Sequence, residues 1–295
     1  MKKSLLFFTI FLIAVLTDIS MEFKDIIVPR IQTYIIEPIL EFMPKEEDRR
    51  DMTTSTESQE KRISKVVKMV REKKEAIDLK YIKPMIDTQN NPLCPLDTPL
   101  DKCLPQKNIK LGNSIFIRIF KLTAELELWI RDEDYYQLLK IYPICKQSGE
   151  LGPKLKEGDH QGVEGFYNIT KKSLNPNSKY HLSFNLGYPN AFDRLNRRTG
   201  SALMVHGGCK SVGCYAMGDK YMEEIYKLTE SAFNHKQKEI AVHIFPFRMR
   251  DEIMIEYSDN EWYNFWGNLK EGYDYFEEAG VPPKVRVLNR RYEFE

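Results

Sequence analysis

The sequence predicts an α+β protein that is mainly β from residue 108 onward and is preceded by a helical N-terminal region. Residues 115–120 and 126–131 alternate in the manner of paired strands, and the few residues between them could close a hairpin. Apolar residues at 63, 66, 67 and 70 have the spacing of an amphipathic helix. Turns rich in Gly and Pro separate further β-like runs, at residues 137–142, 166–170, 201–205, 239–245 and 284–288.

Residues 1–20 have the character of an export signal. Two lysines precede an apolar run from Leu5 to Leu16, which is shorter than the roughly 20 residues that span a bilayer. The segment after this run has no small-x-small cleavage site, so a cleaved signal peptide and an uncleaved signal anchor both remain open. In either case we expect an exported protein in the periplasm, free or anchored to the inner membrane.

Residues 21–107 form a helical and linker region in this interpretation, and residues 108–295 form the catalytic domain. The apolar residues of segment 25–42 recur at helical spacing, interrupted by two prolines. Such a pattern fits a membrane-proximal amphipathic helix, which would tether the chain, and equally a helix that packs within the N-terminal region. Residues 45–60 are charged and rich in Ser and Thr, which is typical of a linker.

The charge pattern and the spacing of particular residues argue against several function classes. The 295-residue chain carries a net charge of +1, with basic and acidic residues interleaved, so a nucleic-acid partner is not expected. The histidines and cysteines lack the spacing of a metal site, and the glycines lack the spacing of a nucleotide-binding loop. We therefore expect neither metal nor cofactor.

The chain has five cysteines, an odd number that leaves at least one thiol unpaired in an exported protein. Cys94 and Cys103 flank a proline-rich stretch and could clip a loop. Cys145 and Cys209 could form a second bridge, which would leave Cys214 free. A bridge between Cys209 and Cys214 is the competing arrangement and would silence Cys214 as a nucleophile.

His206 and Cys214 lie eight residues apart, which is a spacing suited to an activated thiol. A free thiol titrates near about 8.5, so a neighbouring imidazole is needed to withdraw its proton. Gly207 and the Ser211-x-Gly213 turn allow sharp bends and let backbone amides approach a substrate oxygen. A helix with an N-cap at Asp219 is predicted to begin just after this turn. The nucleophile would then lie between the end of a strand and the start of a helix.

Several ordered motifs from about residue 115 onward resemble the YafK branch of the YkuD-type L,D-transpeptidases. The His206 to Cys214 segment carries the resemblance, together with four other passages. These are Ser148-Gly149-Glu150-Leu151-Gly152-Pro153-Lys154 with Glu157-Gly158-Asp159, then Glu164-Gly165-Phe166-Tyr167, then Asn185-Leu186-Gly187-Tyr188-Pro189-Asn190-Ala191-Phe192-Asp193-Arg194, and finally Phe245-Pro246-Phe247-Arg248-Met249.

The resemblance implies a mainly β, YkuD-like catalytic domain with short helices, acting on peptidoglycan stem peptides that contain meso-diaminopimelate. Cys214 would be the nucleophile and His206 the general base, and Ser211 and Gly213 would shape the oxyanion turn. Tyr180 and Tyr188 are further cleft candidates. Arg194, beside Asp193, could bind a substrate carboxylate, or the two could form part of a structural salt bridge.

Three outcomes remain open at the level of sequence. An amine that reaches the acyl-enzyme gives transfer, that is, cell-wall cross-linking or remodelling, whereas water gives hydrolysis. Hydrolysis would suit an amidase that releases a lysine-linked lipoprotein from peptidoglycan. The third outcome is an inactive wall-binding module in which Cys209 and Cys214 are bridged.

Overall fold

The computed structural model describes residues 92–107 and 109–295. The predicted signal or anchor at residues 1–20, the helix patterns at 25–42 and 63–70, and the linker at 45–60 lie outside the described residues. The boundary between the two predicted regions at residue 107/108 stays a prediction. Among the described helices, none combines the length and apolar character needed to cross a membrane.

The larger sheet has five strands, which are β1 (Ile115–Phe120), β2 (Glu125–Asp132), β3 (Tyr135–Pro143), β4 (Gly165–Ile169) and β9 (Ile240–Phe245). Their order across the sheet is β3-β2-β1-β9-β4. Strand β1 pairs antiparallel with β2, with Ile115 opposite Ile130, and parallel with β9. The hairpin predicted from the two alternating runs is thereby confirmed.

Both faces of the central hairpin are buried, although its strands carry charged residues. All six residues of β1 are buried, including Arg118, and so is Glu127 opposite it. The two side chains form an ion pair of 2.8 Å, and Arg248 donates to Glu127 Oε1 at 2.6 Å. Burial of charge is tolerated here because every charged group has an opposite partner.

The smaller sheet carries the candidate site and has four strands, which are β5 (Leu174–Ser178), β6 (His181–Asn185), β7 (Met204–His206) and β8 (Tyr215–Ala216). Their order across the sheet is β5-β6-β7-β8. Strands β6 and β7 are antiparallel, whereas β7 and β8 are parallel. An isolated bridge between Lys146 and Ala216 connects the chain after β3 to β8.

Two long helices cover the sheets. Helix α3 (Asp219–Asn234) presents Met222, Ile225 and Phe233 to the core, as its spacing predicts. Its N-cap is Gly218 rather than the predicted Asp219, because Gly218 has a non-helical φ of 75° and the Asp219 carboxylate accepts from the Gly208 amide instead. Asp219 is the first helical residue. The other helices are α1 (Leu100–Gln106), α2 (Ala191–Leu195), α4 (Asp251–Glu256) and α5 (Tyr263–Ala279).

Several C-terminal aromatic residues belong to the core. Trp266, Tyr273 and Phe276 lie on one side of α5 and are buried. A final antiparallel hairpin packs beside this helix, where Tyr292 stacks on Phe192 of α2 with ring centroids 4.2 Å apart. Its strands are β10 (Val285–Leu288) and β11 (Arg291–Phe294).

Residues 92–107 pack against the larger sheet. The amides of Leu93 and Cys94 donate to the carbonyls of Leu138 and Leu139 in β3. A disulfide joins Cys94 to Cys103, and both are buried. The fully buried ammonium of Lys140 donates to the carbonyls of Leu96 and Thr98 and to Glu224 of α3, at distances of 2.8 to 3.1 Å.

Candidate active site

His206 ends strand β7 and Cys214 immediately precedes strand β8, so the pairing of these strands brings the two together. Val205 is opposite Tyr215, and His206 is opposite Ala216. Cys214 lies just outside β8, two residues before Ala216, which is the partner of His206. With about 5 Å between neighbouring strands and about 3.3 Å per residue along a strand, the Cα atoms of His206 and Cys214 are about 8 Å apart.

The His206 ring is buried and oriented by its own backbone. Nδ1 lies 2.5 Å from the carbonyl oxygen of Gly207, which can only accept a hydrogen bond. Nδ1 therefore carries the proton, and Nε2 is the basic nitrogen. Burial lowers the pKa of His206, and the hydrogen bond to Gly207 acts in the opposite direction. The imidazole is thus neutral at pH 7 and available as a base.

Tyr180 covers the imidazole from the turn between β5 and β6. The two ring centroids are 4.8 Å apart and the ring planes are tilted by 30°. His181, next in the chain, contacts Glu223 of α3 through Nε2 at 3.0 Å and so ties this turn to the helix. Tyr180 is 48% exposed, so one part of the ring packs on the base and the rest faces solvent.

Cys214 is a half-buried thiol, and it is the free cysteine of the chain. Its Sγ lies 3.6 Å from the carbonyl oxygen of Ala202. Burial raises the pKa of the Cys214 thiol, while a hydrogen bond with the Met204 backbone and the charge of Lys154 act to lower it. The raised pKa of the thiol and the lowered pKa of His206 both favour a neutral pair over a thiolate–imidazolium ion pair.

Two serine hydroxyls hold the turn before Cys214. The Ser211 hydroxyl donates to the Cys214 carbonyl at 2.5 Å, and the Gly213 amide donates to the Ser148 hydroxyl at 2.6 Å. Gly213 has a φ of 92°, and a Cβ there would lie 3.1 Å from the carbonyl oxygen of Gln161. Only glycine fits this position well, because the backbone is left-handed and the neighbouring chain is close.

The loop that leaves His206 is fixed by close packing at its first glycine. A Cβ on Gly207 would come within 2.7 Å of both the Asp219 carboxylate and the Tyr180 carbonyl. The same carboxylate accepts a hydrogen bond of 2.7 Å from the Gly208 amide. Asp219 therefore holds the loop beside the base, in place of the helix-capping role predicted for it.

A disulfide between Cys145 and Cys209 anchors the middle of the same loop. Cys145 follows β3, and its amide donates to the Ala216 carbonyl at 2.8 Å. Of the two arrangements that the sequence left open, this is the one in which Cys209 is not bonded to Cys214. The loop between base and nucleophile is thus bound covalently to the chain that follows β3.

Replacing Cys209 with serine is expected to affect folding more than chemistry. The bridge closes a loop with a sequence separation of 64 residues, and its loss should lower the free energy of unfolding by about 4 kcal/mol by loop-closure entropy. Urea unfolding measures this change. The double variant Cys145→Ser/Cys209→Ser is the control, because it leaves no stray thiol. An unchanged urea midpoint together with lost turnover would contradict the prediction.

The remaining predicted site residues are distributed around this centre. The Tyr188 hydroxyl donates to the carbonyl of Lys154 at 3.1 Å, which places it beside a residue that acts on Cys214. Arg194 is exposed and donates to the carbonyl of Pro189 on its own turn. The salt bridge of Asp193 is formed with Arg198, at 3.0 Å, instead of with Arg194.

Sequence reasoning did not select Ser148 or Lys154 as site residues, although both lie in a passage quoted for the family resemblance. Ser148 holds the Gly213 amide, and Lys154 places a buried positive charge near the thiol. Both belong to the segment between β3 and β4, more than fifty residues before the cysteine. Their membership of the resembling passage was the one signal that could have found them.

The chain is similar to curated proteins over 66% of its length. It is 43% identical over 195 residues to the "Putative L,D-transpeptidase YafK" of Escherichia coli K12. The aligned region covers 66% of this chain and 78% of that protein. The protein of the same name from Escherichia coli O157:H7 matches to the same extent. No family model matches the sequence.

Two solved structures also align with the chain. The helical cell shape determining protein Pgp2 of Campylobacter jejuni is 17% identical with a TM-score of 0.37, over 65% of this chain and 81% of that one. Bd1075 of Bdellovibrio bacteriovorus is 16% identical with a TM-score of 0.33, over 61% and 80%. The family follows from the sequence identity to the two Escherichia coli proteins: the chain belongs to the YafK-like L,D-transpeptidases.

Proposed function

We propose that this protein is an exported cysteine acyltransferase that acts on peptidoglycan stem peptides containing meso-diaminopimelate. The observation that carries the proposal is the parallel pairing of β7 with β8, which brings the buried imidazole of His206 close to the free thiol of Cys214. The proton on Nδ1 of the imidazole leaves Nε2 as the basic nitrogen. Membership of the YafK-like family supplies the substrate class.

The chemistry proceeds through a thioester. His206 Nε2 takes the proton of the Cys214 thiol, and Sγ attacks the carbonyl carbon of the diaminopimelate residue, so that a C–S bond forms. The imidazolium then gives its proton to the leaving amine as the C–N bond breaks. In the second step an acceptor amine attacks the thioester carbonyl and forms a C–N bond, and His206 removes the proton of that amine. The C–S bond breaks, and the imidazolium returns the proton to Cys214 Sγ.

An extracytoplasmic location is part of the proposal. The lysine pair and apolar run at the N-terminus support export, with the chain either released or tethered at the inner membrane. The disulfides Cys94–Cys103 and Cys145–Cys209 support an oxidising compartment, since cytosolic proteins rarely keep such bonds. The proposed location is therefore the one in which the proposed substrate, peptidoglycan, is found.

Product analysis tests the proposed function. The purified full-length chain would be incubated with a diaminopimelate tetrapeptide muropeptide and with a muropeptide that carries a lysine-linked peptide stub, and the products identified by mass spectrometry. New cross-linked muropeptides are the expected result. The control is the same protein blocked with iodoacetamide, which reacts at the free thiol of Cys214.

The other outcomes are equally specific. Loss of the stub without cross-linking would replace transfer with the amidase function that the sequence left open. Unchanged substrates with the unblocked protein would overturn the enzyme proposal and favour a wall-binding module. The bridge between Cys145 and Cys209 weighs against that module, since its silencing bond would need Cys209 to pair with Cys214.

A further inference from the structure

Lys154 is a buried cation in the segment between β3 and β4. Its side chain is 5% exposed, and its Nζ donates to Asp159 Oδ1 at 2.6 Å and to the Lys156 carbonyl at 2.9 Å. These two bonds use two of the three N–H groups of an ammonium. Burial of a lysine is costly unless it is paired, so a buried position this close to the candidate site calls for a reason.

The ammonium is held in place from several directions. Asp159 accepts further hydrogen bonds from the amides of Leu155, Lys156 and Gln161. Desolvation raises the pKa of Asp159, but the hydrogen bonds from Lys154 and the three amides outweigh it and bring the pKa to about 2. The counterion therefore remains charged and fixed across the physiological pH range.

The lysine stem packs against the chain that leads to β7. A Cβ on Gly200 would lie 2.7 Å from Lys154 Cε, and the φ of Gly200 is 142°. Two residues further on, the Ala202 carbonyl lies 3.6 Å from Cys214 Sγ. One short stretch of backbone thus contacts both the lysine stem and the thiol.

The charged and titratable groups around Cys214 come from different elements. His206 lies on β7, Lys154 comes from the segment before β4, and the Tyr215 phenol is on the neighbouring residue. The positive charge of Lys154 acts to lower the pKa of the Cys214 thiol. Burial alone raises the pKa of the thiol, so the thiolate needs a compensating positive charge when the proton moves to His206.

We propose that Lys154 is a positioning residue whose fixed ammonium stabilises the Cys214 thiolate, so that the thiol is activated by an imidazole and an ammonium together. This inference rests on the role of Cys214 in the proposed function. It assigns to Asp159 the task of holding the ammonium and to Gly200 the task of admitting the lysine stem beside the thiol.

Alkylation of the thiol tests the role of Lys154 without any substrate. The rate of reaction of the full-length chain with iodoacetamide, measured from pH 6 to pH 10, reports the thiolate fraction of Cys214, because the other four cysteines are in disulfides. Lys154→Met is expected to shift the profile upward by about one pH unit, so alkylation at pH 7 becomes about tenfold slower. Lys154→Arg keeps the charge and is expected to restore most of the rate.

The variants also identify failure of the proposal. A wild-type profile in folded Lys154→Met, or Lys154→Arg as slow as Lys154→Met, would overturn it. If Lys154→Met does not fold, Lys154→Gln decides: its amide is neutral but can still donate hydrogen bonds to Asp159 and to the Lys156 carbonyl, so the alkylation profile should move to higher pH. An unmoved profile in folded Lys154→Gln would reject the role of Lys154. Failure of the proposed function is separate, because it appears as wild-type protein that leaves both muropeptides unchanged.

Discussion

Replacement of Cys214 with alanine is expected to abolish turnover of the diaminopimelate muropeptides, with a loss of at least about 10⁴-fold in kcat. The reason is that no other thiol of the chain is available, since the remaining four cysteines form two disulfides. Serine at this position is expected to be as inactive as alanine. Its hydroxyl has a far higher pKa than a thiol, so proton transfer to His206 is much less favourable in a site that is built around a thiol. Mass spectrometry of the products after incubation provides the measurement.

His206→Ala serves as the companion variant for Cys214→Ala. It is expected to lose turnover to a similar extent, because two residues that act in one proton transfer are not additive. The double variant should therefore be no worse than either single variant. Thermal unfolding of all three proteins separates lost chemistry from lost packing, since the His206 ring is buried against Tyr180. Full activity of Cys214→Ala would refute the assignment of the nucleophile.

Arg248→Met is expected to have the largest effect on stability, a loss of about 3 to 5 kcal/mol in the free energy of unfolding. Arg248 forms ion pairs of 2.6 Å with both Glu125 and Glu127, and those carboxylates are at most 4% exposed. Without the guanidinium the buried negative charges lose a partner, while methionine preserves most of the side-chain volume. Urea unfolding monitored by tryptophan fluorescence provides the free energy.

The pH dependence distinguishes this mechanism from loss of packing. Desolvation raises the pKa of Glu127, but Arg118 and Arg248 outweigh it and hold the pKa below its ordinary value. A lowered pKa in the folded state stabilises the fold above the pKa of the unfolded chain, and this stabilisation is lost as the pH falls. In Arg248→Met the pKa of Glu127 rises, so the stability difference from wild type should narrow below about pH 5.

Arg286→Met is the matched control for Arg248→Met. Arg286 pairs with Glu295 at 2.8 Å, but the two side chains are 69% and 51% exposed. Exposed pairs contribute about 0 to 1 kcal/mol, so this substitution should leave the urea midpoint nearly unchanged. Equal losses for the two variants would show that burial of the Arg248 network is not the source of its effect.

The alternation of residues 115–120 and 126–131 was sufficient to predict the first hairpin, because its signal lies within the two strands themselves. The burial of Arg118 and Glu127 could not be predicted in the same way. It depends on Arg248, which is separated from Glu127 by 121 residues. Sequence patterns report the face of a strand, whereas the partner that neutralises a buried charge is a property of the folded chain.

Two other elements lacked a usable local signal. Strand β5 contains Pro176, a residue that argues against strand structure except at an edge, and it is indeed the edge of the smaller sheet. Helix α5 contains Gly267 and Gly272, which weaken helical propensity. A Cβ at Gly272 would lie within 2.6 Å of both Phe294 and Phe166, so this glycine is needed for the final hairpin to pack closely.

The candidate site likewise contains residues that could be predicted from the sequence and residues that could not. His206, Ser211 and Cys214 were identified because they lie within nine residues of one another in the sequence. Ser148 and Lys154 reach the same centre only because the segment between β3 and β4 folds against the turn before β8. Spacing along the chain carries no information about such an approach.

The segment from Leu93 to Cys103 has a consequence for the behaviour of the protein in solution. Strand β3 is the last strand of the larger sheet, and its outer carbonyls would otherwise offer a template on which another polypeptide could add a strand. The amides of Leu93 and Cys94 occupy two of those carbonyls, and the disulfide keeps them there. The loop thus blunts this edge of the sheet against self-association and aggregation.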